Sequence, residues 1–403
     1  MKTEQGNSFL WMKMNNQSKV LKLLHRERLI SRIEISRKSG IQKQTVTNII
    51  GDLLHQGLVV EEETLSLRGA GRRPTQLRLN RERLVSIGVE VTKSHVAGVL
   101  MDYNRMLLHQ EKMSLSLTPI RDTNSVQAQD AAEQLLNMLI QIIEMLLAKV
   151  PEASIFTGIG VGVQGIVNSH EGIVIHSPYL GWFQVPVRSL LEDRFSIPVF
   201  IDNNVRAFAI GEVWSRPEED LGHVLCVYLD EGVGSAIVIN HEIYSGYQYQ
   251  AGEIGHVKIE LNGELCYCGQ RGCLEPYVSV QNLGKKMGLD GGFGEIVTLL
   301  KKQDTRAVKE LQDVGDRLGF VLGNTINLMN PQAVILGGEL IRAVSWFAPS
   351  MTIAMEQTTR ASNRSTAIIF SDFHQNNGSI GAASLVFHQG LLNTISGKEG
   401  SGS

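Results

Sequence analysis

Cysteine is scarce in this sequence, with four in 403 residues. That excludes a disulfide framework and fits a reducing compartment, so a cytoplasmic location is expected. No run of 18 apolar residues occurs, which argues against a transmembrane helix. The opening stretch MKTEQGNSFLWMKMNNQ has no apolar segment long enough for a secretory signal. Internal repeats and low-complexity tracts are also missing. What is present is ordinary for a chain with sizeable cores: 43% hydrophobic residues and a net charge of −3. The length predicts two or three domains.

The small net charge hides an asymmetry. Residues 1–83 hold 16 Lys and Arg against 8 Asp and Glu, a charge of +8, which leaves −11 for the remainder. A basic head on an acidic body points to a nucleic-acid module joined to a domain that binds something else. Patterning inside the head says more. An amphipathic helix is predicted over 16–28 from Val20, Leu21, Leu23 and Leu24. Ser31 can cap a second helix that ends near Gly40. In the third, Val46, Ile49, Ile50, Leu53 and Leu54 fall at i, i+3, i+4, i+7 and i+8, one buried stripe. Lys43, Gln44, Thr45, Thr47 and Asn48 lie off that stripe near its start. The pattern is that of a helix-turn-helix whose third helix lays its first residues against base edges. Gln and Asn suit adenine; Lys suits guanine or phosphate. An ordinary helical hairpin is the alternative. Strands over 61–67 and 75–79 can pair as a wing around RGAGRRPTQ. There Arg68, Arg72 and Arg73 suit a narrow minor groove; a solvated basic turn is the plainer reading.

Three of the four cysteines fall in one segment, QAGEIGHVKIELNGELCYCGQRGCLEP, over 250–276. Cys266, Cys268 and Cys273, with His256 upstream, supply three thiolates and an imidazole, a common set for one structural zinc. Gly269 and Gly272 allow the tight turns that would bring the sulfurs together. A cluster of reduced cysteines without metal is the competing reading. Further along, buried strands alternate with helices, which predicts mixed or parallel α/β sheets.

The stretch GEIGHV…CYCGQRGCLE resembles the zinc signature of the ROK family, which comprises bacterial sugar kinases and repressors. The resemblance implies zinc on His256, Cys266, Cys268 and Cys273, and sugar hydroxyls accepted by Glu253 and Glu275, with His256 also touching sugar. It extends over nearly the whole chain. It implies a winged helix-turn-helix (1–83), then a two-lobed, actin-like, ROK sugar-kinase-like α/β body (84–390); the small, polar residues of GKEGSGS predict a flexible tail (391–403).

The kinases of that family carry three devices that are degraded here. Their first phosphate loop is Gly-Gly-Thr, where this chain has Val91-Thr92-Lys93-Ser94-His95 without glycine. Their general base is the Asp of an Asn-Asp pair, where this chain has Asn203-Asn204. An amide cannot accept the proton, although Asn203 and Asn204 can still hydrogen-bond hydroxyls. Their second loop is Gly-Thr-Gly, where Asp230 and Glu231 precede Gly232 and Gly234. A sugar-responsive repressor without catalysis is therefore expected, acting on operator DNA as a homodimer or homotetramer with one zinc per chain. The alternatives are a sugar kinase with an added DNA-binding head and a repressor governed by a protein partner.

Overall fold

The computed structural model describes residues 2–62, 75–115, 126–289, 292–372 and 377–391. The head comprises α1 (Lys2–Glu27), β1 (Ile30–Ser31), α2 (Arg32–Ser39), α3 (Lys43–His55), β2 (Val59–Glu62) and β3 (Gln76–Leu79). Its three strands form an antiparallel sheet in the order β1-β3-β2 beside α1, α2 and α3. Local chemistry sets the boundaries. Glu34 N donates to Ser31 Oγ at 3.3 Å while Ser31 N donates to Glu34 Oε2 at 2.9 Å, a reciprocal cap that starts α2. Gly40 ends it at φ 72°, a conformation that costs little only without a Cβ. Val46, Ile49, Ile50 and Leu53 are buried against Val20, Leu21 and Leu24 of α1 and Leu77 and Leu79 of β3. Each such side chain contributes roughly 1.5–3 kcal/mol of burial. The first helix begins well before residue 16, where the sequence pattern starts it.

The body contains two five-stranded sheets. In the first lobe, β4 (Leu84–Val91), β5 (His95–Asp102) and β6 (Leu107–Ser114) are followed by α4 (Val126–Leu147) and β7 (Ile155–Val163). A small sheet follows: β8 (Ile166–Asn168), β9 (Ile173–Ser177) and β10 (Trp182–Val185). Next come α5 (Val187–Phe195), β11 (Val199–Asn203) and α6 (Asn204–Trp214). The second lobe holds β12 (His223–Leu229), β13 (Val233–Ile239) and β14 (Glu242–Tyr244), then α7 (Glu275–Val278), α8 (Val280–Met287), α9 (Phe293–Lys301), α10 (Thr305–Met329), β15 (Ala333–Gly337), α11 (Val344–Thr358) and β16 (Ala367–Phe370). The sheet orders are β11-β7-β4-β5-β6 and β14-β13-β12-β15-β16. Both lobes thus consist of three antiparallel strands followed by two parallel ones reached through helical crossovers. The body is duplicated in structure, although the sequence shows no repeat.

The last helix, α12 (Asn377–Leu385), returns to the first lobe and lies on β4 and β7. Gly160 of β7 has no room for a Cβ beneath the Ala382 carbonyl, which is why glycine stands in that central strand. Head and body share one apolar cluster: Val20, Leu24 and Leu77 on one side, Leu84, Met101, Tyr103 and Phe387 on the other. Arg68, Arg72 and Arg73, most of the expected strand 61–67, and residues 392–403 lie outside the described residues.

Candidate functional site

A cleft of about 390 Å³ opens between the two lobes, within the range of small-molecule sites. At one end the Gly-rich loop after β14 brings His256, Cys266, Cys268 and Cys273 together, their ligand atoms all within 4.8 Å of one another. Cys268 Sγ lies 3.8 Å from Cys273 Sγ, and Cys266 Sγ lies 3.6 Å from His256 Nδ1. A tetrahedron with Zn–S of ~2.3 Å and Zn–N of ~2.0 Å has edges of about 3.8 and 3.5 Å. The residues therefore fit a four-coordinate zinc with no position left for water. Cys266 and Cys273 are buried, and burial pushes the Cys266 thiol up to about 12. A bound dication would supply the opposing charge. His256 Nδ1 faces the sulfurs, whereas its Nε2 lies 3.1 Å from Tyr267 Oη and 3.9 Å from Glu253 Oε2, on the cleft side.

The carboxylates of this end differ. Glu275 begins α7, is buried, and accepts a bond from Val233 N at 3.0 Å. Burial raises its pKa, opposed by the Val233 amide, His256 and Lys93. Glu253 is more exposed, at 58% of its side chain. Both line the cleft, as do Asn203 and Asn204. Asn203 is largely occupied. Its Oδ1 accepts from Val205 N and Arg206 N, capping α6, and its Nδ2 donates to Gly165 O at 2.9 Å. Asn204 Nδ2 donates to Glu90 Oε1 at 3.2 Å.

Across the cleft, on the first lobe, the amides of the turn after β4 are bonded to side chains. Ser94 N and His95 N donate to Thr92 Oγ1 at 3.3 and 3.1 Å, and Lys93 N donates to Gln164 Oε1 at 3.1 Å. Lys93 then crosses the cleft. Its Nζ donates to Gln281 Oε1 at 2.8 Å, sits 3.7 Å from Glu231 and lies over the Tyr179 ring. The turn after β12 is filled in the same way: Glu231 N donates to Asp230 Oδ1 at 2.8 Å and Asp230 N to Gly232 O at 3.0 Å. Burial pushes Asp230 up to about 7, with the nearby Glu339, Glu90 and Glu231 charges adding to it. Two amide-rich turns that could cradle phosphate are thus closed by side chains and lined with acid.

A family model described as ROK family matches residues 86–389. This chain belongs to the ROK family. Among its relatives is a putative xylose repressor of Caldicellulosiruptor sp. (strain Rt8B.4), 31% identical over 352 residues, covering 83% of this chain and 85% of that one. The xylose repressor of Bacillus subtilis (strain 168) is 29% identical over 381 residues, covering 93% and 96%. The DNA-binding transcriptional dual regulator NagC of Escherichia coli (strain K12) is 28% identical over 398 residues, covering 95% of each. A crystal structure of a ROK family transcriptional regulator, homologous to the E. coli MLC protein, superposes with a TM-score of 0.80 at 23% identity, covering 95% of this chain and 98% of that one. A ROK family glucokinase from Streptomyces griseus has a TM-score of 0.62 at 22% identity, covering 75% of this chain and 99% of that one. The ROK fold, with its two α/β lobes, is thereby shown, and the head lies outside the residues that the family model matches.

Sequence reading missed several cleft residues. Glu90 is buried at the end of the otherwise apolar β4 and touches Asn204 and His95; a lone acid in a strand buried throughout was the available signal. Arg206 was also missed. Its Nε donates to Asp202 Oδ1 at 2.5 Å, Nη1 to Tyr249 O at 3.0 Å and Nη2 to Val167 O at 2.6 Å. This buried guanidinium ties α6 to the small sheet and to the loop of the other lobe. Gln164, Tyr179 and Tyr228 complete the wall and carried no local motif.

Proposed function

We propose that this chain is a sugar-responsive DNA-binding transcriptional repressor that transfers no phosphate. The observation that carries this reading is the filled nucleotide end of the cleft. Thr92, Gln164 and Asp230 occupy the turn amides, and Asn204 offers an amide where proton transfer needs a base. The two relatives named as xylose repressors, one of them putative, and the one named as a DNA-binding transcriptional dual regulator support the same reading. The effector is a neutral sugar. Glu90, Asp230, Glu231, Glu253 and Glu275 all face the cleft, and they repel a phosphorylated one. Glu253 and Glu275 accept hydroxyl bonds, His256 Nε2 reaches sugar from the side away from the sulfurs, and Asn204 and Asn203 approach from the other lobe. Zinc held by His256, Cys266, Cys268 and Cys273 cross-links the loop that carries these groups. The zinc is structural.

The head (1–83) reads operator DNA and the body (84–390) reads sugar, each chain pairing with at least one copy so that two heads meet two half-sites. Lys43, Gln44, Thr47 and Asn48 are exposed at the start of α3, and Thr45 is half-buried. Gln44 Nε2 donates to Asn48 Oδ1 at 3.1 Å, which presents the two amides as one unit. The arginines at 68, 72 and 73 supply salt-dependent affinity. Selection of duplexes from a random library, followed by release with a panel of neutral sugars, tests the reading. A single enriched site that one sugar releases is expected, and Gln44→Ala should redistribute base preference by about 1–3 kcal/mol at one position. Failure to enrich any duplex would refute the DNA-binding half.

A further inference from the structure

Lysine is seldom buried without a partner, and Lys93 is exposed over only 9% of its surface. It leaves the turn after β4, on the first lobe. Its ammonium reaches two groups of the second lobe, Gln281 Oε1 at 2.8 Å and Glu231 Oε2 at 3.7 Å, and sits 5.0 Å from the centre of the Tyr179 ring.

Each half of this clasp is fixed on its own lobe. On the first, Lys93 N donates to Gln164 Oε1 at 3.1 Å, and Ser94 N and His95 N donate to Thr92 Oγ1. The backbone that carries the lysine is therefore held. On the second, Val280 N donates to Asp230 O at 2.9 Å. That bond ties the start of α8, which carries Gln281, to the turn that carries Glu231. Another crossing lies beside the first. The Tyr179 and Tyr267 rings meet at 5.8 Å and 59°, and Tyr267 Oη lies 3.1 Å from His256 Nε2.

Thr92, Ser94, Tyr179 and Tyr267 line the cleft, whereas Lys93 does not. Its charge thus serves the protein rather than a bound molecule. Charge also explains why the lobes need a tie. Glu90 of the first lobe and Glu231 and Glu275 of the second all face the cleft, and like charges push the lobes apart. The desolvation of a buried ammonium offsets much of its Coulomb gain, so the contact adds little stability. It does fix geometry, because the ammonium loses its polar partners when the lobes separate.

We propose that Lys93 is a positioning residue of the cleft: its ammonium clasps Gln281 and Glu231 and holds the two lobes at the separation in which Glu253 and Glu275 face Asn204. A cleft held in this way is preorganised, and a ligand binds it without meeting the cost of closure. The consequence for sugar affinity rests on the function proposed above; the clasp itself does not.

Spin labels attached to p-acetylphenylalanine in place of His109 of β6 and Glu356 of α11, both exposed, report the distance between the lobes of the full chain by pulsed electron resonance. Lys93→Glu sets like charge against Glu231 and should lengthen and broaden that distance. Gln281→Ala, an exposed change, should broaden it less. Lys93→Glu combined with Glu231→Lys reverses the pair and should restore the wild-type distribution. Calorimetry with D-xylose, D-glucose and N-acetyl-D-glucosamine on the same proteins should show the sugar that binds wild type weakened roughly 10-fold by Lys93→Glu and regained in the charge swap. Distances unchanged in both Lys93→Glu and Gln281→Ala overturn the clasp, as does a charge swap that restores nothing. A longer distance with unchanged sugar affinity overturns the positioning role. Should none of the three sugars bind wild type, the sugar reading fails and the distances still decide the clasp. Should Lys93→Glu fail to fold, Gln281→Ala decides alone.

Discussion

At one end of the inter-lobe cleft, Glu275, Glu253 and His256 face inward from a loop pinned by three cysteines. Beside them, the turns that follow β4 and β12 spend their amides on Thr92, Gln164 and Asp230, and Val233 N at the second turn donates to Glu275 itself. The two sets sit on one duplicated scaffold; on the proposed function one keeps open acceptors for hydroxyls and the other has closed its donors to phosphate. Under the proposed function, the difference is that a sugar-phosphorylating frame loses chemistry without losing recognition. Binding hydroxyls needs carboxylates held at one edge of the cleft. Phosphoryl transfer needs free amides, a base and low negative charge. On the proposed function only the second set is missing. Lys93 reaches Gln281 and Glu231, so a side-chain contact joins the lobes beside these turns.

The contrast is broken most severely at the metal loop. Cys268→Ser removes one of four ligands, and metal content should fall from about one zinc per chain to near zero, with loss of sugar response and a lowered melting temperature. Elemental analysis of protein purified without chelator checks it, and a wild type free of zinc would refute the assignment. Next comes Glu275→Gln. A charge-assisted hydroxyl bond contributes about 1.5–3 kcal/mol, so sugar affinity should fall roughly 10- to 150-fold. Operator binding should stay intact, read by calorimetry and by gel shift. Asn204→Asp sharpens the comparison by restoring the base alone. Radiolabelled ATP transfer should stay at background, because the turn amides remain occupied; measurable turnover would show that the base was the only missing part.

The smallest effect comes from Asp230→Asn. Burial raises the folded pKa of Asp230 from 3.8 to about 7. Over that window the folded state holds a proton that the unfolded state has released, so stability falls as pH rises from about 4 to 7 and the loss persists above. The amide removes this term. The melting temperature at pH 8 should rise, with no gain at pH 4. An equal gain at both pH values would mean that Asp230 acts through packing instead.

Much of this was legible in the sequence, for local reasons. The cap at Ser31, the turn at Gly40 and the stripe from Val46 to Leu53 are set by neighbours three or four residues apart. The metal set is nearly local too, with three ligands within eight positions. What escaped reading depends on partners far along the chain. Glu90 meets Asn204, Lys93 meets Gln281, and Gly160 lies under Ala382 of α12; no periodicity encodes such pairs. The duplicated lobes escaped for another reason. Identical strand orders can be met by any sequence with suitable burial, so topology repeats where residues do not. The stacking of His25 on Trp214 across the seam between head and body likewise joins residues that share no motif.

The central claim is that sugar in the cleft and operator on the head oppose one another through one equilibrium. On this proposal, a sugar held by Glu253 and Glu275 from one lobe and Asn204 from the other favours one closure of the cleft, and the shared core that links Leu24 to Phe387 carries that closure to the head. Linkage makes the effect reciprocal. The decisive measurement is calorimetric titration of the releasing sugar into the protein with and without saturating operator. Weaker sugar binding in the presence of operator, by the same factor by which sugar weakens operator binding, is predicted. Equal affinities in the two titrations would contradict the account, and tighter binding with operator would make the sugar a co-repressor.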